Sequence, residues 1–220
     1  MKLLTSLFFI LSLIPMLFIN NAFSAEETDP VKDKPYIKIE KIAVMPFSSK
    51  LTGVGETMTT KEQFLTDSMY GELTAKVKGI EFISPQSSGE ELTKVGEDNS
   101  ILLDKSAVIE AGKNLGADAV LFGYISEYKE REGGELGVSS AASVAFSVQL
   151  LNTKDGQILW EDYFAETQRP LSENLLEVRK FFRRGAKWIT ADDLAKEGIV
   201  EVVNELNMFL VKFSDTTEKN

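Results

Sequence analysis

The sequence predicts one α/β domain, with helices packed on a mixed sheet of about five strands that ends in a C-terminal antiparallel hairpin. Three observations carry this expectation. Apolar runs of strand length alternate with segments whose apolar residues recur every three or four positions. Residues 117–125 (ADAVLFGYI) are apolar almost without a break, as a central strand covered on both faces must be. Residues 143–150 alternate strictly, and Asp155-Gly156 then turns the chain into a second strand-like run.

The elements follow in order. Met1-Lys2, the apolar run from Leu3 to Ile19 and the small-x-small exit Ala22-Phe23-Ser24 read as a secretory signal peptide over residues 1–24. Cleavage is expected after Ser24, with Ala25 as the alternative. The rival is an uncleaved anchor, since a run of roughly 17 residues sits at the lower limit for crossing a bilayer. Residues 25–38, with Pro30 and Pro35, form a flexible tether. The α/β domain then spans 39–213, and 214–220 is a polar tail.

Residues 39–47 (IEKIAVMPF) predict a buried strand stopped by Pro46, and 48–60, with Gly53 and Gly55, a loop. Phe64, Leu65, Met69, Leu73 and Val77 mark an amphipathic helix over 61–78, ended by Gly79. A short strand at 80–83 closes at Ser84-Pro85. Residues 86–103 are polar and ambiguous, with only a loose helical turn suggested at 90–95. Ala107, Val108, Ala111 and Leu115 define a helix over 104–115 that stops at Gly116. The central strand at 117–125 fades into the charged run 127–132 and a Gly133-Gly134 turn.

In the hairpin, Val144, Phe146, Val148 and Leu150 share one face, and residues 158–165 return with Trp160 opposite the first strand. Ser172 can cap a helix to about residue 182, broken by Arg183-Arg184-Gly185. Thr190 starts the last helix, with Asp193 as capping-box partner and Ile189 with Leu194 as hydrophobic staple. Ala195, Ile199, Val202, Val203, Leu206, Phe209 and Leu210 form its buried stripe.

Composition excludes much of enzymology. The chain has no cysteine and no histidine. Thiol nucleophiles, Ser-His-Asp and Cys-His sites are therefore impossible, and the commonest zinc ligand is missing. Glu161 and Asp162 point to opposite faces of a strand and cannot act as a facing acid/base pair. No enzyme activity, cofactor or metal is expected. Without the lipid-bearing cysteine of a bacterial lipoprotein, the expected location is the periplasm, reached through a cleaved signal, with no stable membrane insertion afterwards. The net charge of −10 becomes −11 when Lys2 leaves with the signal. Such a surface repels nucleic acid and anionic lipid.

Three segments carry a family likeness: Lys41 to Phe47 ("AV.PF"), Ala111 to Tyr124 (AGKNLGADAVLFGY) and Leu150 to Trp160 ("L.....G..LW"). In this order they resemble the periplasmic domain shared by CsgG-like secretion proteins, LpoB-like activators of peptidoglycan synthases and the amino-terminal domain of TolB. The resemblance implies a non-catalytic envelope accessory protein that binds another envelope component, a protein partner first and peptidoglycan as the alternative. An oligomer is compatible with it. CsgG-like channels are lipoproteins that insert paired hairpins into the membrane. Residues 130–142 are too short and too charged for two strands of roughly nine to eleven residues each, so no pore is expected. LpoB-like activators are usually lipid-anchored on a long tether, whereas this tether is about a dozen residues.

One cluster stands out on so acidic a chain. Arg169, Arg179, Arg183, Arg184, Lys187 and Trp188 combine the residue types that anchor interfaces. They are the expected partner-binding residues. The competing reading is structural, with Trp188 packed in the core and the arginines paired with the chain's own carboxylates.

Overall fold

A computed structural model describes residues 38–49, 58–96, 105–134, 137–168 and 187–217. The expected signal, nearly all of the tether and the helix at 172–182 lie outside these residues.

The sheet matches the expected fold class: mixed, α/β, with the antiparallel pair last. Its elements are β1 (Lys41–Val44), β2 (Ser48–Ser49), α1 (Thr60–Lys76), β3 (Glu81–Ile83), α2 (Pro85–Gly96), α3 (Lys105–Asn114), β4 (Ala119–Lys129), β5 (Glu132–Gly133), β6 (Val138–Ser140), β7 (Ser143–Asn152), β8 (Ile158–Thr167) and α4 (Ala191–Thr217). The strand order is β3-β1-β4-β7-β8, with β2 alongside β4. β1 runs parallel to β3 and β4, and β7 runs antiparallel to both β4 and β8. β5 and β6 form a separate two-stranded ribbon.

Side-chain alternation sends successive residues to two cores. Ile42 and Val44 join Leu121, Phe146, Val148 and Leu150 beneath α1 and α4. Ala43 and Met45 join Val120 and Leu151 against Leu92 of α2 and Val108 and Ala111 of α3. Burial of each large apolar side chain stabilises by about 1.5–3 kcal/mol relative to leaving it in water, so these two layers hold the domain together.

α1 starts at a complete capping box, in which Thr59 and Glu62 satisfy each other's backbone N–H groups. α4 starts at a related cap between the same kinds of residue, Thr190 and Asp193. Thr190 Oγ1 accepts the Asp193 N–H at 3.1 Å and donates to Asp193 Oδ2 at 2.9 Å, as the sequence predicts.

Two elements differ from expectation. The polar stretch after Ser84 holds a full helix, α2. Pro85 sits in its first turn, Ser84 Oγ accepts the Ser87 N–H at 3.2 Å, and Leu92 is its buried apolar contact. A helix with so narrow an apolar face leaves little period in the sequence. β4 does not fade at residue 125. It runs to Lys129 because β7 pairs with it as far as Ser143, and a bulge at Ser126 absorbs one residue. Trp160 lies opposite Leu150 of β7, as expected, and is half-buried because β8 is an edge strand.

Candidate docking site

The end of β4 and the start of α4 meet in a chain of polar contacts. After the bulge, Tyr128 packs against the larger core, and its hydroxyl donates to Asp192 Oδ1 in the first turn of α4. Burial, and then the bond to Asp192, hold this phenol far above the ordinary tyrosine pKa, so it stays a neutral donor. Lys61 Nζ donates to the Tyr128 carbonyl at 3.0 Å and stands 5.3 Å from the centre of its ring. Glu130 Oε2 accepts the Ala191 N–H at 3.0 Å, setting a carboxylate at the positive end of α4.

The next residues fix the segment that enters α4. Arg131 donates from Nη1 to the Trp188 carbonyl. Gln168, buried at the end of β8, donates from Nε2 to the Lys187 carbonyl at 3.0 Å and accepts the Ile189 N–H on Oε1 at 2.9 Å. Its own N–H donates to Ala142 O at 3.1 Å, so the amide is tied to the hairpin. One side chain thus replaces a strand partner for residues 187–189. The result is an exposed Lys187 and a half-buried Trp188 on a fixed backbone.

Of the expected cluster, Lys187 and Trp188 therefore lie together at this junction. Arg169, Arg179, Arg183 and Arg184 lie outside the described residues. Tyr128 and Arg131 are not singled out by the sequence. Glu130 reads there only as a weak cation ligand with Glu127 and Glu132, against a solvated strand end, and Gln168 only as the start of the polar segment 168–174. Among the described residues no group of acidic side chains could hold a metal ion, and no helix is long and apolar enough to cross a membrane.

The sheet and its helices make a mixed α/β domain, and the family match below supports an LpoB-like fold for it. Residues 57–165 match the family described as peptidoglycan-synthase activator LpoB. The match runs from just before α1 into β8 and leaves out both β1 and the Lys187–Trp188 segment. No curated protein matches. Among solved structures, the LpoB C-terminal domain from Salmonella enterica is 19% identical, with TM-score 0.38 over 59% of this chain and 83% of that one. Lipoprotein GNA1162 from Neisseria meningitidis is 18% identical, with TM-score 0.42 over 67% and 98%. The hypothetical protein CT253 from Chlamydia trachomatis is 14% identical, with TM-score 0.47 over 79% and 98%.

The comparisons correct one expectation, that of a periplasmic protein that is not a lipoprotein. LpoB-like activators are usually lipid-anchored, and the similar neisserial protein is named a lipoprotein. The expectation rested on the missing cysteine alone. Lipid anchoring is a property of the leader, and the packing of the folded domain says nothing about it.

Proposed function

We propose that this chain is a non-catalytic accessory protein of the cell envelope that binds a peptidoglycan synthase. The observation that carries the reading is the clamp on residues 187–189, where Gln168 and Arg131 fix the backbone that presents Lys187 and Trp188. A preorganised Trp beside a cation suits recognition, because little side-chain and backbone freedom is lost on binding. The family description of the matching segment supplies the class of partner. Arg169, Arg179, Arg183 and Arg184 are further cations close by in sequence, and cations suit an acidic patch on that partner. The absence of histidine and cysteine supports a role without chemistry.

A glycan platform on Trp188 is the weaker reading, since stacking on a sugar needs an open ring face and this residue is half-buried. In-cell photo-crosslinking from position Trp188, with exposed Lys94 as the remote control, tests the proposal. One dominant synthase adduct seen only from position 188 is expected. Equal adducts from both positions, or none, would return Trp188 to a purely structural role.

A further inference from the structure

Among the described residues β8 pairs with β7 alone and closes one side of the sheet. The bond from Gln168 N to Ala142 O fixes which of its backbone groups face β7. In an antiparallel ladder such residues alternate, so in the register Phe146↔Phe164 the groups of residues 160, 162, 164 and 166 point to β7. Those of Glu161, Tyr163, Ala165 and Thr167 point outward. All four outward residues are exposed, Tyr163 to 61%. Natural edges are usually blunted by charged side chains, lysine above all, by proline or by short length, and negative charge still leaves an edge open to a cationic strand. This one is ten residues long, has neither lysine nor proline, and carries Glu161, Asp162 and Glu166. One outward group near its middle is occupied: the Tyr163 N–H donates to Asp162 Oδ1 at 2.8 Å.

We propose that the outer edge of β8 adds an extended strand from a protein partner that carries lysine or arginine at alternate positions, with Asp162 as its gate. A cation opposite residue 162 draws that carboxylate into an ion pair and releases the Tyr163 N–H to the incoming carbonyl. A neutral or acidic strand leaves the gate shut and meets like charge. Main-chain bonds then supply affinity and the Asp162 carboxylate supplies choice of partner. The proposal shares with the docking reading only the premise that the chain binds protein, and it makes no use of Lys187 or Trp188.

The test is residue-resolved amide exchange on the full chain with two synthetic ten-residue peptides, one alternating lysine with valine and one alternating glutamate with valine. At about ten times the Kd of the lysine peptide, exchange at residues 161, 163, 165 and 167 is expected to slow about tenfold. The glutamate peptide is expected to change nothing. In Asp162→Lys the preference between the two peptides should weaken or reverse. Equal protection by both peptides, protection by neither, or protection away from β8 would overturn the proposal. So would concentration-dependent protection without peptide, which would mark β8 pairing with a second copy. Loss of crosslinking from Trp188 alongside intact β8 protection would sink the synthase reading and leave this one standing.

Discussion

The ring of Phe47 lies against the backbone of Gly123, so close that a Cβ at position 123 would fall 2.2 Å from Phe47 Cε1. The contact begins a row of aromatics across the sheet. Phe47 meets Phe146 edge-on at 5.9 Å, and Phe146 meets its cross-strand neighbour Phe164 at 5.4 Å. The row ends at Gly198 of α4, where a Cβ would fall 2.5 Å from the Phe164 ring. Two glycines bracket three phenylalanines, and neither position has room for a methyl group.

Gly123→Ala should therefore destabilise the domain by about 1–3 kcal/mol, the usual cost of overpacking a core. Urea unfolding measures it. Adding Phe47→Leu should recover part of that loss, because the smaller side chain clears the clash, and the cycle should show coupling between the two sites. Gly198→Ala sets two effects against each other. Alanine gains roughly 1 kcal/mol of helix propensity, while the clash with Phe164 costs more, so the net change should be destabilising.

Ser88 gives a prediction of opposite sign. It is fully buried in α2, and its Oγ has no hydrogen-bond partner among the described residues. Ser88→Ala removes an unsatisfied hydroxyl and places a better helix former. The variant should be more stable by about 1 kcal/mol, read as a higher urea midpoint at unchanged slope.

Tyr128 predicts a dependence on alkaline pH. Its folded-state pKa lies above that of an unfolded tyrosine, which is about 10. The contribution of this group is therefore fully present below pH 10 and is lost as pH rises above that value. Between pH 8 and pH 11 the wild-type chain should lose more stability than Tyr128→Phe, which cannot ionise. An equal loss in both would show that the Asp192 contact does not couple to folding.

The fold was largely legible, and the contacts explain why. Each of the three recognisable segments meets a partner elsewhere in the chain. Phe47 of the first segment packs on Gly123 of the second. Asp118, in the second, accepts the Glu40 and Lys41 N–H groups at 2.9 and 3.0 Å and so fastens the start of β1. Gly156, in the third, turns the hairpin at a φ of +72°, which favours glycine. These are needs of backbone and packing, and sequence records such needs well. The junction was legible only at Lys187 and Trp188. Gln168 acts through a buried amide that bonds to backbone 19 and 21 residues away. No periodicity or local motif marks such a contact, because its partners are main-chain groups that every residue possesses.

That clamp is itself testable. Gln168→Ala would leave the Ile189 N–H and Lys187 carbonyl without their partner, at a cost of about 1–3 kcal/mol. In a Trp160→Phe background, the fluorescence anisotropy of Trp188 should fall as the segment loosens. Gln168→Glu keeps the acceptor for Ile189 but loses the donor to Lys187, and should lie between the two.

Partnership with a synthase has a direct kinetic consequence. The rate of glycan polymerisation by a purified peptidoglycan synthase from the same organism is followed with and without saturating amounts of this protein. A saturable increase in rate is expected, with no turnover by the protein alone and a weaker effect from Trp188→Ala at unchanged stability. An unchanged rate together with no detectable binding would rule out partnership with the synthase.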